Sequence, residues 1–183
     1  MLRTPDTTLF VRPPCDMATI PETIVENTWR EVASFASRDA WRAMEKVTKR
    51  QPALLAYVMA STRECGEDAQ ELAVYLFFVV LRMFDQLPGH RLKRVSINQV
   101  ERRAAENEAM LERLGGAHER FLERAAQVQT ESQPHVLRYL TEAILEGEDP
   151  EVELTEEESG LLFLVLKTVV DLLNGACKKG RRR

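Results

Sequence analysis

From residue 19 onward the apolar positions return at intervals of three and four, and the eight glycines and eight prolines fall mostly between these stretches. That is the period of an amphipathic helix, and no segment alternates in the way a half-buried strand would. The first helix is expected to start at Thr19-Ile-Pro-Glu22, with Thr19 and Glu22 as a capping pair and Pro21 in the first turn. Its buried stripe reads Ile24, Thr28, Val32 and Phe35, with Trp29, Ala33 and Ala36 beside it. Trp41, Met44 and Val47 mark a second amphipathic stretch; a break near Ser37 to Asp39 and a continuous helix fit equally. Pro52 opens a short helix bearing Leu54, Leu55, Val58 and Met59, which Gly66 closes. A strongly apolar helix follows from Asp68 to Gln86 and stops at Leu87-Pro88-Gly89-His90.

The second half repeats this grammar. Ser96-x-x-Gln99 forms a capping box for a helix with Ile97, Val100, Ala104, Leu111 and Leu114 on one face, ended by Gly115 and Gly116. Phe121, Leu122, Ala125 and Val128 mark the next helix. Pro134 then opens one with Val136, Leu137, Leu140 and Ile144, closed by Gly147. Thr155-x-x-Glu158 caps an apolar helix over 156–174 with Gly175 in the position after its end.

Sliding the chain by 82 residues superposes Gln51-Pro52 on Gln133-Pro134, Tyr57 on Tyr139 and Glu64 on Glu146; a slide of 86 superposes Leu76, Phe77, Val79 and Asp85 on Leu162, Phe163, Val165 and Asp171. A period of this kind decides topology before any detail. The fold expected is an all-α bundle of seven or eight helices, made of two similar halves, 19–90 and 96–176, related by a pseudo-twofold. A short α-solenoid is the alternative. The two apolar helices are too greasy to face water and are expected to pack on each other or at the centre of one shared core. Residues 1–18 read as an arm and 177–183 as a basic tail.

Composition adds bounds. With 44% apolar and 30% charged residues and a net charge of −4, the chain is an ordinary globular one. The apolar run 72–81 spans about 15 Å as a helix, half of a hydrocarbon layer of about 30 Å, so no membrane role is expected of it. Three widely spaced cysteines match no metal or redox motif, and the first twenty residues hold no apolar core of the length a secretory signal needs, which together point to the cytoplasm.

Candidate chemistry is sparse. Asp85 and Asp171 occupy equivalent places near the ends of the apolar helices, with Arg82 three residues and Lys167 four residues earlier as local ion-pair partners. Glu64-x-x-Glu67 with Asp68 resembles the carboxylate helices of all-α nucleotide pyrophosphohydrolases, but Gly66 interrupts it. Glu64, Glu67, Asp85 and Asp171 are therefore the metal candidates if any exist, and no cofactor is expected. His90, His118 and His135 sit in no zinc or di-iron spacing, and no phosphate loop or nucleophile elbow occurs. Tyr57 and Tyr139 read as residues of the core edge. Residues 146–158 carry eight acids and no base, whereas Arg91, Lys93, Arg94, Arg102 and Arg103 form one basic stretch and Lys178, Lys179 and Arg181 to Arg183 another. Because the chain without that tail carries −9, no continuous basic face is expected and nucleic acid is not the favoured partner. The expectation is a protein-binding or assembly module without catalytic activity, a symmetric dimer among its forms, with Trp29 and Trp41 as interaction residues. The alternative is a metal- or small-molecule-dependent enzyme using the acids between the halves.

Overall fold

A computed structural model describes residues 19–113, 133–146 and 154–179. Among them the chain forms seven helices: α1 Glu22–Ala33, α2 Ser37–Thr48, α3 Pro52–Ser61, α4 Glu67–Asp85, α5 Ile97–Arg113, α6 Pro134–Glu146 and α7 Glu156–Ala176. Two three-residue strands, β1 His90–Leu92 and β2 Cys177–Lys179, pair antiparallel. The fold is all-α, as the periodicity implies. The helix expected around Phe121 to Val128, the terminators Gly115, Gly116 and Gly147, and the arm 1–18 lie outside the described residues.

The two apolar helices do pack on each other. In α4 every residue from Leu76 to Leu81 is buried, and in α7 every residue from Val165 to Val170 is. Helices with no wet side must lie inside the bundle. They run in the same direction. At one end the Gly66 N–H, at the N-cap of α4, donates to Glu158 Oε1 in the first turn of α7 at 2.9 Å. At the other end β1, which follows α4, pairs with β2, which continues α7. The remaining helices wrap this pair: α1, α2 and α3 lie on α4, α5 and α6 lie on α7, and α1 meets α6 while α3 meets α5.

Two glutamines fasten the wrapping, and both precede the proline that opens a helix. Gln51 is 2% exposed; its Oε1 accepts from the Val95 N–H at 2.9 Å and its amide donates to the Lys93 carbonyl at 2.8 Å. Gln133 is fully buried; its Oε1 accepts from the Ile20 N–H at 2.8 Å and its amide donates to Asn174 Oδ1 at 2.9 Å. Each thus grips the backbone just ahead of another helix, α5 in one case and α1 in the other. A buried amide that meets both of its needs holds a segment without a water.

Several local expectations are corrected. Thr19 does not cap α1: the N-cap is Pro21, no side chain bonds to it, and Gln133 anchors the entry instead. On α1 and just after it, Thr28 and Val32 of the expected stripe are buried and Ile24, Trp29 and Phe35 pack half-buried against the core, but Val25 is buried beside them and Ala33 and Ala36 are exposed. The break ahead of α2 falls at 34–36. Gly66 starts α4 and does not close α3, which stops at Ser61. Gly175 lies inside α7, which runs on to Ala176 and turns directly into β2. At Ser96 half of the capping box forms, the Gln99 side chain accepting from the Ser96 N–H at 3.0 Å. At Thr155 and Glu158 the whole box forms. Finally, Cys177–Lys179 belong to a strand rather than a tail, a pairing too short and too distant in sequence for periodicity to reveal.

Candidate functional site

Among the described residues a polar cluster enters the core between α3, α5 and α7. Lys167, 2% exposed, donates to Asp171 Oδ2 at 2.7 Å, one helical turn along α7. Asn107 of α5, 3% exposed, donates through Nδ2 to the same carboxylate oxygen and to Thr168 Oγ1, both at 3.0 Å. Its Oδ1 faces the Lys167 ammonium at 3.5 Å. Thr168 passes its own proton to the Leu164 carbonyl at 2.9 Å. From α3 the Tyr57 hydroxyl joins Thr168 and Ser61, and burial pushes its pKa up although both hydrogen bonds pull the other way. The Lys167–Asp171 pair is thus the local ion pair that the i,i+4 spacing implies. Asn107 was missed. It stands seven residues after Val100, on the stripe otherwise read as apolar, and a polar residue at that phase was the available signal.

Asp85 behaves differently. Its cation is not Arg82 but Arg50, at 2.6 Å across the α2–α3 junction. Arg82 turns instead to Glu31 of α1 at 2.5 Å. Gln86 donates to the other Glu31 oxygen at 2.7 Å, and Thr28 donates to Gln86 Oε1 at 2.9 Å. The fully buried Thr28 is therefore a polar link between α1 and α4 rather than an apolar substitute. A cavity of about 10 Å³ beside Asp85, lined by Arg50, Gln51, Leu81, Asp85 and Leu92, holds at most one water.

The four acidic candidates do not converge. Glu67 and Asp85 are the first and last residues of α4, which separates them by about 27 Å at 1.5 Å per residue. Glu64 precedes Glu67 in the α3–α4 connection, and Asp171 is bound to Lys167 and Asn107. Among the described residues no three His, Cys, Asp or Glu side chains gather in a form that holds a metal ion. Near Glu64 and Glu67 the carboxylate with a structural task is Glu158. The Gly66 N–H, followed by the Thr155 backbone and hydroxyl, holds its pKa below the usual glutamate range. Trp29 is half-buried against the core with the Arg30 guanidinium 5.5 Å from its ring centre. Trp41 stands on α2, and its side chain lies outside the described residues.

The two-stranded ribbon gathers what the sequence keeps apart. Leu92 pairs with Cys177, and these two face the core. Arg91 pairs with Lys178, and both are exposed. His90 pairs with Lys179, and the exposed Lys93 and Arg94 follow the strand. The Lys93 N–H donates to the Ala176 carbonyl at 3.0 Å, and Gln51 holds the backbone at Lys93 and Val95. The His90 ring donates from Nδ1 to the Pro88 carbonyl at 2.9 Å.

No family model matches the chain, and comparison with curated proteins and with solved structures finds no similar protein.

Proposed function

We propose that this protein is a helical binding or assembly module without catalytic activity, built from two copies of one helical unit. The observation that carries the reading is the dispersal of the acidic side chains: Asp85 answers to Arg50, Asp171 to Lys167 and Asn107, and Glu67 lies a helix length away from Asp85. Polar groups used up in this way fasten helices together and present no converging set to a substrate. The parallel roles of Gln51 and Gln133, each at a Gln-Pro helix start and each gripping the segment ahead of another helix, support the two-copy reading. Met59, Ile97 and Leu145, respectively 58%, 51% and 43% exposed, give apolar area on α3, α5 and α6 for a second chain.

Light scattering on protein freed of nucleic acid tests this. The mass is expected to rise with concentration and to fall back in an Ile97→Glu, Met59→Glu variant. A monomer at every concentration, combined with a thermal stabilisation by a divalent cation or a nucleotide, would favour the enzyme reading instead.

A further inference from the structure

We infer that the β1–β2 ribbon is a docking site for the phosphate backbone of a duplex nucleic acid, a ligand that lies beyond the assembly reading and does not depend on it. The ribbon brings the exposed Arg91, Lys93, Arg94 and Lys178 together from segments more than eighty residues apart in the chain. Like charges placed directly opposite on paired strands destabilise them, by a few tenths of a kcal/mol or more. The Arg91–Lys178 pair does this on the outward face, and His90 stands opposite Lys179. Stability alone would not select such a pair.

The fold does not neutralise it. Among the described residues no carboxylate pairs with Arg91, Lys93, Arg94 or Lys178, whereas Arg50, Arg82 and Lys167 nearby all have one. The two parallel helices α4 and α7 both end beside the ribbon, and each supplies about half a negative charge from its dipole. That is about one unit against the four exposed cations Arg91, Lys93, Arg94 and Lys178.

Among the described residues the acidic first turns of the two apolar helices lie far from it. The acids Glu67, Asp68, Glu156 and Glu157 sit in the first turns of α4 and α7, at the opposite end of the parallel pair. A 21-residue helix separates the two ends by about 30 Å, several times the screening length of about 8 Å at physiological ionic strength. A phosphate chain at the ribbon is therefore attracted by local cations and scarcely repelled by distant acids. A row of charges on an extended ribbon fits a polymer whose own charges repeat along a line, and backbone binding needs cations alone. Stable attachment to a membrane needs a second, inserted apolar element, and the apolar pair of the ribbon, Leu92 and Cys177, faces the core.

The test is the salt dependence of fluorescence anisotropy with a labelled 20-base-pair DNA duplex. The four exposed cations give a slope of about −3.6 for log affinity against log salt, an affinity loss of about 150-fold between 50 and 200 mM. The variant Arg91→Gln, Arg94→Gln, Lys178→Gln, altered only at exposed side chains, should bind more weakly with a slope near −0.9 and a loss of about 3.5-fold over the same range. An Arg102→Gln, Arg103→Gln variant, which removes two α5 cations paired with Glu106, should keep the steep slope. Unchanged thermal melting of the triple variant confirms that only the surface differs. Absence of binding at 50 mM salt, equal slopes for the wild type and the triple variant, or retention by phosphatidylserine vesicles without retention by DNA would each overturn the inference.

Discussion

Replacing Gln51 with alanine removes two hydrogen bonds made by a side chain that is 2% exposed, one from the Val95 N–H and one to the Lys93 carbonyl. Each such bond contributes a net 0.5–1.5 kcal/mol or so, and a buried N–H left without a partner costs about 1–3 kcal/mol. Val95 is itself 2% exposed, so water does not reach its amide at no cost. The expected loss is about 2–4 kcal/mol, which for a chain of this size lowers the melting temperature by roughly 4–16 °C. Urea unfolding followed by circular dichroism should show a lower midpoint with an unchanged slope. Hydrogen exchange should show the Val95 amide losing protection ahead of the core of α4. Gln51→Glu separates the two bonds, since its carboxylate still accepts from Val95 but offers Lys93 only a lone pair. Protonation restores the donor, and a buried carboxyl titrates above its unfolded value, so the folded form binds the extra proton and the gap to wild type narrows as pH falls. Gln133→Ala should lose a similar amount through Ile20 and Asn174. A loss below about 0.5 kcal/mol for Gln51→Ala, the range of a surface change, or full protection at Val95 would refute the reasoning.

Two further outcomes are expected. Asn107→Ala breaks the bonds to Thr168 and Asp171 and leaves a void between α5 and α7, for a loss of about 2–4 kcal/mol in the same urea assay. Glu158→Ala opens the capping box of α7 and frees the Gly66 N–H, at a cost of about 1–2 kcal/mol at neutral pH. Because Gly66 and Thr155 hold the Glu158 pKa below the usual range, its stabilisation is present above the unfolded glutamate value and disappears as pH falls through the lower folded value. Unfolding measured at pH 7 and again near pH 3 should therefore show wild type and variant converging at the acidic end.

The helices were legible because each announces itself within a few residues: Pro52 and Pro134 open α3 and α6, Thr155 and Glu158 cap α7, and the apolar runs mark α4 and α7 as interior. Exact faces were less so. Val25 is buried where Ile24 was expected, and Ile97 is half exposed, because the neighbours that decide a face are distant in the chain. Spacing alone named the partner of Asp171 correctly and that of Asp85 incorrectly. Lys167 meets Asp171 one turn along its own helix, whereas Arg82 had Glu31 of another helix available. The ribbon was beyond reach for a stronger reason. Its six residues carry no alternation long enough to count, and the pairing depends on where two long helices happen to end.

That last dependence ties the fold to the surface it presents. Two helices side by side in the same direction align their dipoles, so like partial charges meet at both ends and each end needs compensation. At the N-terminal end the first turns carry Glu67, Asp68, Glu156, Glu157 and Glu158, and Glu158 also clamps the two helices through Gly66. At the C-terminal end the clamp is the ribbon, where the inward pair Leu92 and Cys177 supplies the burial and the outward positions carry cations. Compensation explains the sign of the charge at each end but not its amount at the ribbon, where four exposed cations stand against about one unit of helix-end charge. Holding the strands together and carrying charge thus fall to different side chains of the same six residues. Removing the outward cations should leave the clamp intact, and removing the inward pair should loosen the clamp and scatter the cations with it.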